Sequence, residues 1–273
     1  MTWFEAVVLG LVQGLTEFLP ISSSAHLLIV SQLFGWEDPG AAFTAVSQIG
    51  TETAVIIYFR KDIWRIISTW TRSLVDSSLR SDIDARMGWY VIVGTLPIAL
   101  LGYTFRHQIE TVARNLWLVA IMLIVFGVIL GAADRLGSRV KPLTDLKIRD
   151  GLFYGVGQAF ALIPGVSRSG ATISAGLAMG YTREAATRYA FLLAIPAVLA
   201  SGFFEALQIG SGPAPEWGPT IVATLIAFVV GYAVIAWLIR YISTNSFMPF
   251  VVYRLALGGL IIVLLATGVL TTG

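Results

Sequence analysis

The chain has no cysteine. Disulfides, thiolate catalysis and Cys-ligated metals are therefore excluded, and the redox compartment is left undetermined. Charge is scarce as well: 12% of residues are charged, against about 25% in a soluble domain. Residues 1–59 hold no Lys or Arg. The N-terminus, Met-Thr-Trp-Phe-Glu, lacks the basic region of a secretory signal, so the first apolar segment is expected to stay in the mature protein. A net charge of +2 gives no reason to expect a nucleic-acid partner. What is present is apolar: 56% hydrophobic residues and a mean hydropathy of +0.80 over 273 residues. The length alone would allow one or two soluble domains. With so few solvating groups, most side chains must face lipid or each other.

Crossing the hydrocarbon takes about 20 apolar helical residues. Six stretches have that length: 41–59, 88–105, 115–133, 188–207, 219–239 and 250–270. Two further apolar regions are interrupted. Residues 3–35 break at Pro20-Ile21-Ser22-Ser23-Ser24, and residues 151–180 break at Pro164-Gly165-Val166-Ser167-Arg168-Ser169-Gly170. Each arm holds only about 10–15 residues, too few to cross alone. Pro removes a backbone donor and pushes its predecessor out of the helical region. Non-helical backbone at membrane depth survives only where protein or water surrounds it. Both regions are predicted to be re-entrant helix–loop–helix hairpins.

The breaks resemble copies of one another. Leu19-Pro20-x-x-Ser23 aligns with Ile163-Pro164-x-x-Ser167 at an offset of 144. Gly35 and Ala41-Ala42 match Gly180 and Ala185-Ala186, and Thr95-Leu96 with Gly102-Tyr103 match Thr224-Leu225 with Gly231-Tyr232. The predicted fold is an all-α polytopic protein, one membrane domain over 1–273, built from an inverted repeat (1–135 and 150–273). Each half would contain one re-entrant hairpin and three transmembrane helices, and an odd span count inverts the second copy. The charges agree. Lys and Arg gather in cytoplasmic loops, and here they lie in 60–87 (Arg60, Lys61, Arg65, Arg72, Arg80, Arg86) and 134–150 (Arg135, Arg139, Lys141, Lys147, Arg149). The 208–218 loop and the C-terminal tail have none. Both termini are thus expected outside, with the hairpin tips meeting near the midplane, where inverted repeats place their binding sites.

An ionisable group at membrane depth costs at least about 2.5–3.5 kcal/mol and is a functional hypothesis by default. Gln13 and Glu17, spaced i,i+4, share a helix face and offer hard oxygen ligands suited to Mg²⁺ or Ca²⁺. A capping or interhelical hydrogen bond is the competing reading. Ser22-Ser23-Ser24 follow a Pro break, and at least one of them is expected to N-cap the next helix. His26 lies beyond this hydroxyl cluster and is a candidate for proton transfer. The other histidine, His107, falls in a predicted outer loop. The second break supplies Ser167, Arg168, Ser169, Gly170 and Thr172. The guanidinium fork of Arg168 fits phosphate oxygens, and the following helix presents its N-terminus, a ready anion site. An Arg168–Glu17 ion pair is the structural alternative, though it leaves the flanking hydroxyls unexplained. Glu52 either lines the cavity or pairs on another helix, and Arg254 is expected to snorkel to the interface.

Gln13-x-x-x-Glu17, Pro20-x-Ser22-Ser23-Ser24-x-His26 and Pro164-Gly165-x-Ser167-Arg168-Ser169-x-x-Thr172 together resemble the bacterial undecaprenyl-diphosphatase (bacitracin-resistance) family over nearly the whole chain. The first motif resembles the family's Glu/Gln-x-x-x-Glu pattern, here with Gln at the leading position, which lowers the charge available to a metal. The resemblance implies a Mg²⁺- or Ca²⁺-dependent enzyme of the inner membrane, with its site opening to the outer side. Its substrate would be undecaprenyl diphosphate, converted to the monophosphate carrier reused in peptidoglycan synthesis, and extra enzyme would protect against bacitracin. By position, Gln13 and Glu17 would hold the metal. Ser22, Ser23, His26, Ser167, Arg168, Ser169 and Thr172 would form the phosphate site.

Catalysis on such an anion needs charge neutralisation and in-line positioning. The catalytic set is expected to be Glu17, His26, Ser167 and Arg168, with Ser167 or an activated water as nucleophile and His26 as base or acid. The partners expected are the prenyl diphosphate lipid and the bilayer, and a homodimer is left open. A transporter or flippase for a phosphorylated lipid or small anion remains the rival reading, because broken helices and inverted repeats are common in transporters. A ligand-free scaffold leaves Arg168 and Glu17 without purpose.

Overall fold

A computed structural model describes residues 1–37, 40–106, 108–109, 115–208 and 216–270. His107 lies outside the described residues. Eleven α-helices are seen among the described residues: α1 Trp3–Thr16, α2 Ser23–Leu33, α3 Gly40–Tyr58, α4 Arg60–Ser73, α5 Ile83–Thr104, α6 Leu116–Leu136, α7 Ile148–Ala159, α8 Arg168–Ala178, α9 Arg183–Gln208, α10 Trp217–Thr244 and α11 Met248–Ala266. No β-strand occurs among the described residues beyond an isolated bridge between Lys141 and Tyr181. The chain is an all-helical, multi-pass membrane protein.

The helices begin where the sequence supplies caps. Thr2 and Glu5 form a reciprocal capping box on α1. The Asp82 carboxylate accepts the Asp84 amide at 2.8 Å to start α5, and Asn115 accepts the Leu118 amide at 3.1 Å to start α6. Helices α5, α6, α10 and α11, together with Arg183–Gly202 of α9, are long and apolar enough to cross a bilayer. The sixth expected span, 41–59, forms α3 with 19 residues but is not among these five. Ser47, Gln48, Thr51, Glu52 and Thr53 lower its apolarity, and Ser47, Thr51 and Glu52 are buried. Its polar face is turned into the protein.

Two regions depart from expectation. The 60–87 segment, read as a loop, contains α4 and a short 3₁₀ turn over Ser77–Ser81. In α4, Arg60 and Lys61 stand exposed with Trp64 and Ile67, so charged and apolar side chains share its outer surface. Asp62 holds this helix to α9 through Arg188 at 2.9 Å. The larger correction is Arg254. Instead of snorkelling it is fully buried, because five backbone carbonyls deep in the fold receive its donors (below).

Helix α10 packs along both α1 and α3, and α5 packs along α7 and α9, while α6 lies on α11 and α3 on α9. Close approach needs small residues. Any Cβ on Gly50 would strike the Thr224 carbonyl of α10, and one on Gly155 would strike Gly94 of α5.

Candidate active site at the two hairpin tips

Both interrupted regions form hairpins with arms of 14 and 11 residues (α1, α2) and of 12 and 11 residues (α7, α8). Each second arm starts from a serine with left-handed backbone: Ser22 at φ 75°, ψ 96° and Ser167 at φ 69°, ψ 115°. Such a conformation costs a non-glycine residue on the order of 1–3 kcal/mol, and strain of this kind clusters at functional sites. Each second arm also ends near a positive-φ glycine, Gly35 or Gly180. The backbone thus pairs Ser22, not Ser23, with Ser167, at an offset one residue longer than the Pro–Pro match gives. Gly165, at φ 86°, is the extra residue in the second loop.

In the first hairpin the expected i,i+4 face is real. Gln13 Nε2 donates to Glu17 Oε2 at 3.0 Å, and the Ser23 hydroxyl donates to the same oxygen at 2.6 Å. Gln13 is fully buried, and its Oε1 has no hydrogen-bond partner in the described structure. No serine of this tip caps α2 with its side chain, contrary to expectation. Ser22 occupies the N-cap position without a side-chain cap bond, its hydroxyl lying 3.2 Å from that of Ser24. Ser23 is drawn off to Glu17. His26 Nδ1 lies 2.7 Å from the Ser22 carbonyl, which can only accept, so Nδ1 carries the hydrogen. Its Nε2 lies 2.6 Å from the Tyr253 hydroxyl of α11.

In the second hairpin Ser167 is a true N-cap, accepting the Gly170 amide at 3.2 Å, with the Ser169 hydroxyl at 3.2 Å. Ser169 donates to the Leu19 carbonyl of the first hairpin at 3.2 Å. Thr172 is buried and donates to the Arg168 carbonyl at 2.8 Å. Arg168 points back toward the first hairpin, its Nη2 4.0 Å from Glu17 Oε1, with both side chains partly open to the outside (22% and 12% exposed).

Arg254 locks the tips together. It donates to Pro20 O (3.0 Å) of the first hairpin, to Gly165 O (3.1 Å) and Val166 O (3.0 Å) of the second, and to Leu123 O (3.0 Å) and Met122 O (3.3 Å) of α6. These include carbonyls freed where the two hairpins break. A guanidinium with five N–H donors and no acceptor suits that task.

Gln13, Glu17, Ser22, Ser23 and His26 are thus joined to Ser167, Arg168 and Ser169 in one locus. Tyr253 and Arg254 belong to it and were missed. The signal was present for Arg254: the burial cost that singled out Arg168 applies equally to an arginine inside the last apolar run. Nothing in the sequence marks Tyr253 beyond its place beside it.

Among the described residues no group of three or more His, Cys, Asp and Glu could hold a metal. The oxygen donors here are instead the unpartnered Gln13 Oε1 and the Glu17 carboxylate. That set fits Mg²⁺, which binds through one or two carboxylates and takes the rest of its shell from water and substrate phosphate.

The family described as Bacitracin resistance protein BacA matches residues 6–260. The chain belongs to this family. The BacA match spans both hairpins and all the residues just described. Relatives are alike over nearly their whole length. Undecaprenyl-diphosphatase 2 of Streptomyces avermitilis is 63% identical over 283 residues, covering 99% of this chain and 97% of the relative. Undecaprenyl-diphosphatase of Thermobifida fusca is 62% identical over 271 residues (99% and 93%). Undecaprenyl-diphosphatase of Micrococcus luteus is 60% identical over 276 residues (99% and 100%).

Proposed function

We propose that this chain hydrolyses undecaprenyl diphosphate to undecaprenyl phosphate and inorganic phosphate at the joined hairpin tips, recycling the lipid carrier for cell-wall synthesis and conferring bacitracin resistance. The observation that carries the reading is Arg168 facing Glu17 across 4.0 Å, in a member of a family whose relatives bear the diphosphatase name.

Arg168 grips the non-bridging oxygens of the terminal phosphate, helped by the free amides at the start of α8. Ser22 and Ser23 of one tip and Ser169 of the other stand beside the same locus as further hydroxyl donors. Attack at the terminal phosphorus forms one P–O bond and breaks the bond to the bridging oxygen, whose charge stays with the prenyl monophosphate. The attacking oxygen belongs to Ser167 or to water, and its proton leaves through His26; where Ser167 attacks, water then cleaves the phosphoserine, releasing inorganic phosphate and returning the proton to the Ser167 oxygen. A Mg²⁺ or Ca²⁺ ion, which Gln13 and Glu17 would hold, would neutralise charge on the diphosphate. The prenyl tail exits sideways between helices into lipid.

The halves are read as inverted copies, which the exchange of packing partners supports: α1 lies on α10 as α7 lies on α5. The bacterial inner membrane is the expected location. Basic residues concentrated in 60–87 and 134–150 support termini and site opening outside. All the groups named come from one chain, so a homodimer is not required by this chemistry.

The test is phosphate release from a prenyl diphosphate by purified protein in detergent, with Mg²⁺ and with EDTA. Release in detergent separates hydrolysis from transport, which needs a sealed membrane, and absence of release sinks the enzymatic reading. Release indifferent to EDTA removes the ion. Phosphoserine trapped by rapid quench assigns the attack to Ser167, whereas near-normal turnover of Ser167→Ala assigns it to water.

A further inference from the structure

Among the described residues Glu52 is a buried carboxylate near the hairpin tips that the scheme above does not use. It sits on the inward face of α3 with only 5% of its surface exposed, and its Oε1 has no hydrogen-bond partner in the described structure. An unpaired polar atom at this depth is expensive. The neighbouring hydroxyls do not serve it, since Ser47 donates to the Thr44 carbonyl and Thr51 to the Gln48 carbonyl along their own helix. The charged groups that act on it are Arg168 and Glu17.

Packing fixes this neighbourhood. Around Gly231 of α10, the Phe18 ring, the Thr51 methyl and the Ala54 methyl converge, at 3.0, 3.4 and 3.8 Å from where a Cβ would stand. The residues adjoining Glu17 and Glu52 therefore meet at one level of the same helix. Gln13 Oε1, one turn back from Glu17 on α1, is likewise buried without a partner in the described structure. Two carboxylates against one guanidinium leave an excess of negative charge where a diphosphate must also bind. When Glu52 is ionised both of its oxygens can only accept, and Oε1 meets no donor in the described structure. A divalent cation satisfies all three oxygens and the charge together.

We infer that Glu52 is a further ligand of the cation site, supplying from α3 the second carboxylate that the Gln13-x-x-x-Glu17 motif lacks. The inference rests on the cation reading above and extends it. The geometry assigns the ion three protein oxygens from two helices, Gln13 Oε1, Glu17 and Glu52 Oε1, and leaves the remaining positions to water and phosphate.

Mn²⁺, which shares this preference for oxygen ligands, serves as the probe. Binding is followed by electron paramagnetic resonance on substrate-free protein in lipid nanodiscs, with a thermal melt of every variant. Wild type is expected to bind, Glu17→Gln to lose binding, and Glu52→Gln to weaken it at least about 10-fold. The double variant Gln13→Glu/Glu52→Gln restores the charge count from α1 and is expected to recover most of the affinity. Wild-type affinity in folded Glu52→Gln, with binding lost in Glu17→Gln, overturns the role of Glu52 and leaves the cation reading standing. Should Glu52→Gln fail to fold, a folded double variant that does not bind overturns it equally. No Mn²⁺ bound by wild type removes the cation reading, and Glu52's role with it.

Discussion

Arg168 Nη2 and Glu17 Oε1 stand 4.0 Å apart across the gap between the two hairpins. That is the outer limit of an ion pair and too far for a hydrogen bond. Glu17 is already engaged through Oε2 by Gln13 and Ser23, whereas Arg168 has no closer anion among the described residues. A pair built only to hold two loops together would close to about 2.8 Å. The open spacing keeps the guanidinium fork available to a guest with phosphate oxygens.

Arg168→Ala is accordingly a catalytic lesion rather than a structural one. Loss of one preorganised donor to developing charge is expected to lower kcat on the order of 10²–10³-fold. The melting temperature should hardly move, because among the described residues no hydrogen bond of the Arg168 side chain ties the tips together. Phosphate-release kinetics and a melt in the same detergent decide it. Unimpaired turnover takes Arg168 out of the site.

Tyr253 covers the nitrogen through which His26 would exchange a proton. With Nδ1 committed to the Ser22 carbonyl, a proton reaching or leaving Nε2 passes the phenol at 2.6 Å. Tyr253 is itself 43% exposed, so it connects the imidazole to the outside of the fold. In Tyr253→Phe, kcat is expected to fall up to about 100-fold while KM holds, with a changed shape of the kcat/KM profile against pH. A profile superimposable on wild type leaves Tyr253 a packing residue.

The absence of native cysteine makes topology directly testable. Glu216→Cys precedes α10, and Arg149→Cys lies at the start of α7; both native side chains are largely exposed (62% and 79%). If basic loops lie inside, a membrane-impermeant thiol reagent on intact spheroplasts labels the first and spares the second until the membrane is broken. The reverse pattern turns the molecule over and puts the site on the cytoplasmic side.

The hairpins were legible because each departs from membrane chemistry in one stretch: Pro20 with three serines, Pro164 with Gly165 and Arg168. Helix-forming apolar runs admit few such residues, so they stand out without any knowledge of packing. The spans of α5, α6, α9, α10 and α11 were legible from length for the same reason. Three things were hidden. Ser22 carries the left-handed turn rather than Ser23, because Pro20-Ile21 and Pro164-Gly165-Val166 differ by one residue and only the backbone reveals where the slack is taken up. Glu52 is turned into the fold because α3 packs on α10 and α9, a packing choice that no local pattern encodes. Arg254 was misplaced because its position near a helix start suggested an escape route to water. The carbonyls that hold it inside belong to residues 88 to 234 positions away in sequence.

Those carbonyls make Arg254 the most consequential single side chain for the assembly of the site. It reaches Pro20, Gly165, Val166, Met122 and Leu123 in a region that excludes water. Truncation leaves the Pro20, Gly165 and Val166 carbonyls of the two breaks without this donor, and each buried unsatisfied group costs about 1–3 kcal/mol. Arg254→Met preserves most of the apolar stem and removes every donor, so it is expected to lower the melting temperature sharply in detergent and to abolish turnover. Arg254→Lys tests geometry rather than charge, because an ammonium offers three donors at one point and cannot reach carbonyls on both hairpins and α6. Lys is expected to recover part of the stability but little activity, since the two tips are no longer held in register. Wild-type melting in Arg254→Met would mean that the carbonyls find water instead, and that the tips are held together by the Ser169–Leu19 hydrogen bond and helix packing alone.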